Sequence, residues 1–201
     1  QSVVFGENLL LTRDIRVYTQ KDEIHISDVV ENQGFVTSPV MMVYHVNFGY
    51  PLLDAGSRVY SSAGAIAPRD AIAATGVKRW KEVEEPDPDR PEECFFHTAQ
   101  PKDAFAMVHN RRLGLAACVR FDGRELPLLC QWKCMREGDY ALGLEPTTSG
   151  VGGRPAARES GQLVYLEPGA KKTFSLAISY LEEQDEIKAL IAASGKNRIS
   201  K

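Results

Sequence analysis

The chain has 201 residues, 43% hydrophobic and 25% charged, proportions of an ordinary globular domain that exclude a disordered, collagen-like or coiled-coil chain. Its formal net charge of -3, from 24 basic against 27 acidic residues, lacks the electrostatic footprint of a nucleic-acid binder. Uninterrupted apolar runs are too short for a membrane-spanning helix, and the four cysteines read as reduced thiols of a cytoplasmic protein.

The chain opens Gln1-Ser2-Val3-Val4-Phe5, without an initiator methionine, a basic segment or a cleavable apolar run. A removed leader or a piece of a longer polypeptide is therefore expected. Strand signals follow. Ile24 and Ile26 alternate with Glu23, His25 and Ser27, the period of a half-buried strand. Asn32-Gln33-Gly34 marks a turn, and the β-branched and aromatic run from Val40 to Phe48 predicts a strand that ends at Gly49-Tyr50-Pro51. Residues 84–93, EEPDPDRPEE, predict a solvated loop. Asp122-Gly123 between two apolar runs predicts a hairpin joining Ala116–Phe121 to Glu125–Lys133. Gly138-Asp139 predicts a turn before the strand Tyr140–Glu145, and the glycine-rich stretch 150–153 an irregular rim loop. Thr173–Tyr180 alternates, with Phe174, Leu176, Ile178 and Tyr180 on one face. Only the last stretch, with Ile187, Leu190 and Ile191, has helical spacing. Many strands and one short C-terminal helix predict an all-β fold, a large antiparallel β-sandwich in a single domain over residues 1–201.

Face-by-face reading of two strands selects candidate site residues. Along Met41–Phe48, Met42, Tyr44, Val46 and Phe48 point one way, and Val43, His45 and Asn47 the other. The second face places an imidazole and a carboxamide about 7 Å apart along the strand. In Tyr140–Glu145, Glu145 shares its face with the small Ala141 and Gly143, which leaves room above the sheet for a ligand. A glutamate in such a place is paired or working. Cys130, Trp132 and Cys134 share a strand face, but no second pair of ligands accompanies them, so no metal site is expected. Cys94 and Cys118 stand isolated. Arg154, at the end of the glycine-rich loop, is placed to reach an oxygen-rich ligand.

Three segments, YHVNFGYPLLDAGSRV (44–59), GDYALGLEPTTSGVGGR (138–154) and LVYLEPGAKKTFSLAISYL (163–181), together resemble the aldose-1-epimerase-like, domain-of-unknown-function branch of the galactose mutarotase superfamily. The resemblance runs along nearly the whole chain from VVFGENLLLTRDI onward. It implies a sugar-binding β-sandwich of which this chain is the C-terminal half to two-thirds, lacking N-terminal strands. It also implies an isomerase that interconverts α and β anomers of an aldose or aldose derivative, with no cofactor and no metal. The family's base matches Glu145 and its acid matches His45, expected on opposite sides of a sugar ring. Further sugar contacts are expected from Asn47, His97, Trp132 and Arg154, and rim contacts from the 67–76 segment. A small-molecule sugar is the expected partner. The competing expectation is a non-catalytic carbohydrate-binding domain, since one fold hosts many functions.

Overall fold

The computed structural model describes residues 6–195 and 198–199. In chain order its first strands are β1 (Leu9–Val17), β2 (Glu23–Asn32), β3 (Ser38–Val40), β4 (Val46–Phe48), β5 (Arg58–Ser61) and β6 (Ala65–Pro68). After helix α1 (Ala71–Gly76) come β7 (Glu93–Thr98), β8 (Ala104–Asn110), β9 (Leu115–Phe121), β10 (Leu128–Cys134) and β11 (Ala141–Thr147). The remaining elements are α2 (Gly153–Glu159), β12 (Val164–Leu166), β13 (Lys171–Leu181), α3 (Gln184–Ala193) and β14 (Arg198–Ile199).

Two six-stranded sheets result, ordered β1-β2-β13-β9-β8-β5 and β14-β6-β7-β10-β11-β4, with β12 and β3 forming a small ribbon. Among the described strands all pairing is antiparallel except β14 beside β6. The sheets stack as a sandwich. Val59, Val108, Val119, Phe174 and Leu176 of the first sheet share one buried cluster with Ile66, Phe95, Leu129, Leu142 and Leu144 of the second. The alternation expected for Phe174, Leu176 and Ile178 delivers them to this core. On the first sheet's other face, α3 packs Ile187 over Phe105, Met107, Cys118 and Leu181. Among the described residues, no helix is long and apolar enough to cross a membrane.

Three local expectations change. Besides the C-terminal helix, two short ones form. Asp70 caps α1 by accepting from the Ala73 amide at 2.9 Å, and α2 closes the glycine-rich loop. The 40–48 strand is broken between β3 and β4, although its residues stay tied to β11. The Tyr44 amide donates to the Pro146 carbonyl at 3.0 Å, and the Thr148 amide to that of Met42 at 2.9 Å. Asp122-Gly123 does not close a hairpin, because β9 and β10 belong to different sheets. Gly123 serves a close approach instead: a Cβ there would stand 2.0 Å from the Gln100 carbonyl oxygen. The hairpin of this region is β10–β11, turning at Gly138 with a positive φ of 89°.

Candidate active site

Neighbouring strands of the second sheet carry the site on the face turned away from the core. The register sets Asn47, Gly143, Trp132 and Cys94 in one row across β4, β11, β10 and β7. Glu145, Cys130, Phe96 and Ala67 form the next row.

His45 immediately precedes β4, and its orientation is fixed from inside. The buried Tyr44 hydroxyl donates to Asp28 Oδ2 at 2.6 Å, and Arg13 donates to both oxygens of that carboxylate at 2.8 and 2.7 Å. Burial pushes the Asp28 carboxyl up, but the Arg13 and Tyr44 hydrogen bonds outweigh it and hold its pKa below the ordinary value. With Tyr44 pinned inward, strand alternation turns His45 outward, where its side chain is 51% exposed. Its Nδ1 lies 3.0 Å from Asn47 Oδ1. An amide oxygen only accepts, so Nδ1 carries the hydrogen and Nε2 is left as the exchangeable position.

That Nε2 lies 3.1 Å from Oε1 of Glu145. Glu145 is only 3% exposed, and its carboxylate folds back over Gly143. A Cβ at position 143 would stand 2.2 Å from Oε1 and 3.1 Å from Cδ. The space expected above Gly143 for a ligand is therefore occupied by the carboxylate itself. Despite the nearby imidazole, Oε1 accepts no aligned hydrogen bond. Burial pushes the Glu145 pKa above the usual carboxylate range, an effect reduced by the charge of His45.

Trp132 completes the group. Its ring centroid is 5.8 Å from that of His45 at an interplanar angle of 67°. Its Nε1 donates to Glu92 Oε2 at 2.7 Å, and Arg69 Nη2 donates to Glu92 Oε1 at 3.0 Å. These two donors hold Glu92 below its ordinary pKa, so the indole is tethered through an ionised carboxylate. It is half-buried and belongs to the outer face rather than to the core.

Residues 1–180 match the family model described as a domain of unknown function, DUF4432. The chain belongs to the DUF4432 family. No curated protein matches its sequence. Over its whole length it resembles a Klebsiella pneumoniae protein provisionally named an aldose 1-epimerase, with 28% identity and a TM-score of 0.90. It covers 54% of that protein, about half its length. The fold is shared with a galactose mutarotase related enzyme from Lactobacillus acidophilus, at 12% identity and a TM-score of 0.60, covering 90% of this chain and 70% of that one. An Escherichia coli protein, also provisionally named an aldose 1-epimerase, shares it at 16% identity and a TM-score of 0.56, covering 90% of this chain and 67% of that one.

In this DUF4432 chain His45, Asn47, Trp132 and Glu145 converge, while His97 and Arg154 do not join them. His97 sits one residue beyond Phe96, so strand alternation sends it through the sheet to the interior. There it is fully buried, with Nε2 2.9 Å from Gln131 Oε1 and its ring edge-on to Trp80 at 4.9 Å. Burial lowers its pKa to about 4. Arg154, at the start of α2, donates to Glu7 Oε1 at 2.6 Å. The loop before it does border the site's face, since a Cβ on Gly150 would lie 3.8 Å from Phe96 Cζ. Sequence reasoning missed Glu92, the last residue but one of the acidic 84–93 run, and the tether that Arg69 builds through it. It also missed Cys94, which lies against Cys130 rather than standing alone. The expected opposed acid and base are instead neighbours.

Proposed function

We propose that this chain interconverts the α and β anomers of a free aldose or aldose derivative, with Glu145 as base and His45 as acid. The observation that carries this reading is Glu145 Oε1, a buried acceptor without an aligned hydrogen bond, held 3.1 Å from an outward-facing imidazole nitrogen. The anomeric hydroxyl oxygen and the ring oxygen of a pyranose are bonded to the same carbon. A contiguous acid–base pair therefore reaches both at once.

Glu145 removes the proton from the anomeric hydroxyl while the Nε2–H of protonated His45 is donated to the ring oxygen, and the bond from the anomeric carbon to that oxygen opens. Rotation about the bond to the next carbon presents the other face of the carbonyl. Neutral His45 then takes the proton back from the re-attacking hydroxyl, and protonated Glu145 returns its own to the new anomeric oxygen. The pair ends as it began. Asn47 keeps Nδ1 hydrogenated so that Nε2 does the work, and burial supplies the basicity that an ordinary exposed carboxylate lacks. The half-buried Trp132 ring offers an apolar platform for a sugar's C–H face. The provisional name of the Klebsiella protein agrees with this reading.

NMR exchange between the α and β anomers of a panel of free sugars tests it. Exchange should be faster with the protein than with buffer for at least one sugar, and Glu145→Gln should lower the enzymatic part by about 100-fold or more while sugar line broadening persists. Saturable binding with no acceleration would make the chain a carbohydrate-binding domain and defeat the proposal.

A further inference from the structure

Two buried thiols lie under the site and take no part in the acid–base chemistry. On β7 and β10, Cys94 stands opposite Trp132 and Cys130 opposite Phe96, which makes the two cysteines diagonal neighbours on the site's face. Diagonal positions in a sheet are commonly about 7–8 Å apart at Cα, yet here the side chains turn toward each other and bring Sγ within 3.0 Å of Sγ. That is about 1 Å beyond the length of a disulfide bond. Cys130 is also directly opposite Glu145 on β11.

We propose that Cys94 and Cys130 form a redox-active dithiol in the floor of the site, oxidised by a small peroxide to a cross-strand disulfide. The Cys94 sulfur attacks one peroxide oxygen as a thiolate; the O–O bond breaks and hydroxide leaves, giving a sulfenic acid at Cys94. The Cys130 sulfur then attacks Cys94, the S–O bond breaks, and a second hydroxide leaves. The protons of the two thiols convert both hydroxides to water. In balance, two thiols lose two electrons and two protons, and hydrogen peroxide is reduced to two waters.

The order of attack follows from the surroundings. A hydrogen bond from Cys130 and the nearby Arg69 charge favour the thiolate at Cys94, whereas giving that hydrogen bond pushes the Cys130 thiol up. The other two cysteines differ. Cys118 is sealed under α3, and burial raises its pKa to about 12. Cys134 lies four residues along β10 from Cys130, with Ala141 as its cross-strand neighbour. Burial of the pair (Cys94 1% and Cys130 0% exposed) admits a peroxide more readily than a bulky aromatic disulfide reagent.

Where the proposed anomer exchange holds, closing this disulfide draws the Cys130 sulfur, directly opposite Glu145, toward Cys94 and slows exchange until a dithiol reductant restores it. The modification itself is read without any activity. The folded chain of residues 1–201 is treated with hydrogen peroxide, denatured under alkylation and mapped by mass spectrometry. A linked peptide pair, Cys94 to Cys130, lighter by two hydrogens and reversed by dithiothreitol, is expected, with Cys118 and Cys134 alkylated. In Cys130→Ser, dimedone should trap a sulfenic acid at Cys94, and in Cys94→Ser none should appear at Cys130. Peroxide that leaves both residues as thiols, drives either one to sulfinic acid unlinked, or links a different pair overturns the proposal. Because the wild-type map alone decides this, a variant that fails to fold does not obscure it. Nor does a chain that exchanges no sugar.

Discussion

A methyl group at position 143 would meet Glu145 Oε1 at 2.2 Å, so Gly143→Ala forces the carboxylate into another rotamer. The collision falls mainly on the far end of a flexible side chain, and the fold should survive. The proposed anomer exchange should drop about 100-fold, chiefly in kcat, because an acid–base pair displaced by an ångström loses its alignment; circular dichroism should match the wild type. Unchanged exchange in that variant would remove Gly143 from the account. Glu145 also affects stability. Burial raises its folded pKa above the ordinary value of 4.5, so the unfolded chain releases this proton first and stability falls as pH rises from the ordinary value through the folded one. Glu145→Gln carries no such cost. Its Tm should exceed that of the wild type at pH 7, with the gap closing below the ordinary carboxylate pKa, and thermal melts across pH check both. At this scale the sequence was informative because alternation is local: His45 and Asn47 follow from parity along one strand and Glu145 from parity along another. His97 was not legible, because both faces of β7 are covered and burial cannot reveal which one faces the core.

The second sheet repeats one device on its two faces. Outside, Gly143 makes room for the Glu145 carboxylate; inside, a Cβ on Gly76 of α1 would stand 1.5 Å from Glu93 Oε1. Glu93 on β7 and Glu84 in the acidic loop lie 3.7 and 2.7 Å from the ammonium of Lys133 on β10, which is 1% exposed. The 84–93 run is therefore not purely solvated; its first and last carboxylates, Glu84 and Glu93, both reach the buried ammonium. Lys133→Met strands Glu93 without a counter-charge and should cost about 3–5 kcal/mol in urea unfolding, and adding Glu93→Leu should recover much of it. Two additive losses in the double variant would show that the pair is not coupled. None of this was legible in the sequence, since the contact joins two strands and a loop through register. The same holds for Cys94 and Cys130, and for Asp122-Gly123, where a turn signal marked a crossing between sheets.

On the scale of the whole molecule, composition and alternation sufficed for an all-β sandwich, but not for its strand order. The first sheet's inner face is not covered along its full width. Ile15 and Val17 on β1 face the core side yet are 59% and 70% exposed. Beside them runs a groove of about 550 Å³ lined by Val17, Ile24, Phe48, Leu52, Ile178 and Tyr180. An apolar fluorescent dye such as anilinonaphthalene sulfonate should bind there, and Ile15→Lys with Val17→Lys should remove roughly half or more of its signal. Full dye fluorescence in the double variant would place the exposed apolar surface elsewhere.

The pairing of β2 with β13 also sets a timetable for synthesis. Among the described residues the β1–β2 hairpin has β13 as its one neighbour in the sheet, and a two-stranded ribbon alone is marginally stable. Asn32 leaves the ribosome well before Lys171, the first residue of the strand that anchors it. At cellular translation speeds that delay is on the order of 10 s, far longer than a hairpin takes to form and fray. During that interval Ile24 and Ile26 lack the cross-strand partners Ile178 and Leu176 that will cover their side of the ribbon, so the hairpin's apolar face waits for the last long strand to be made.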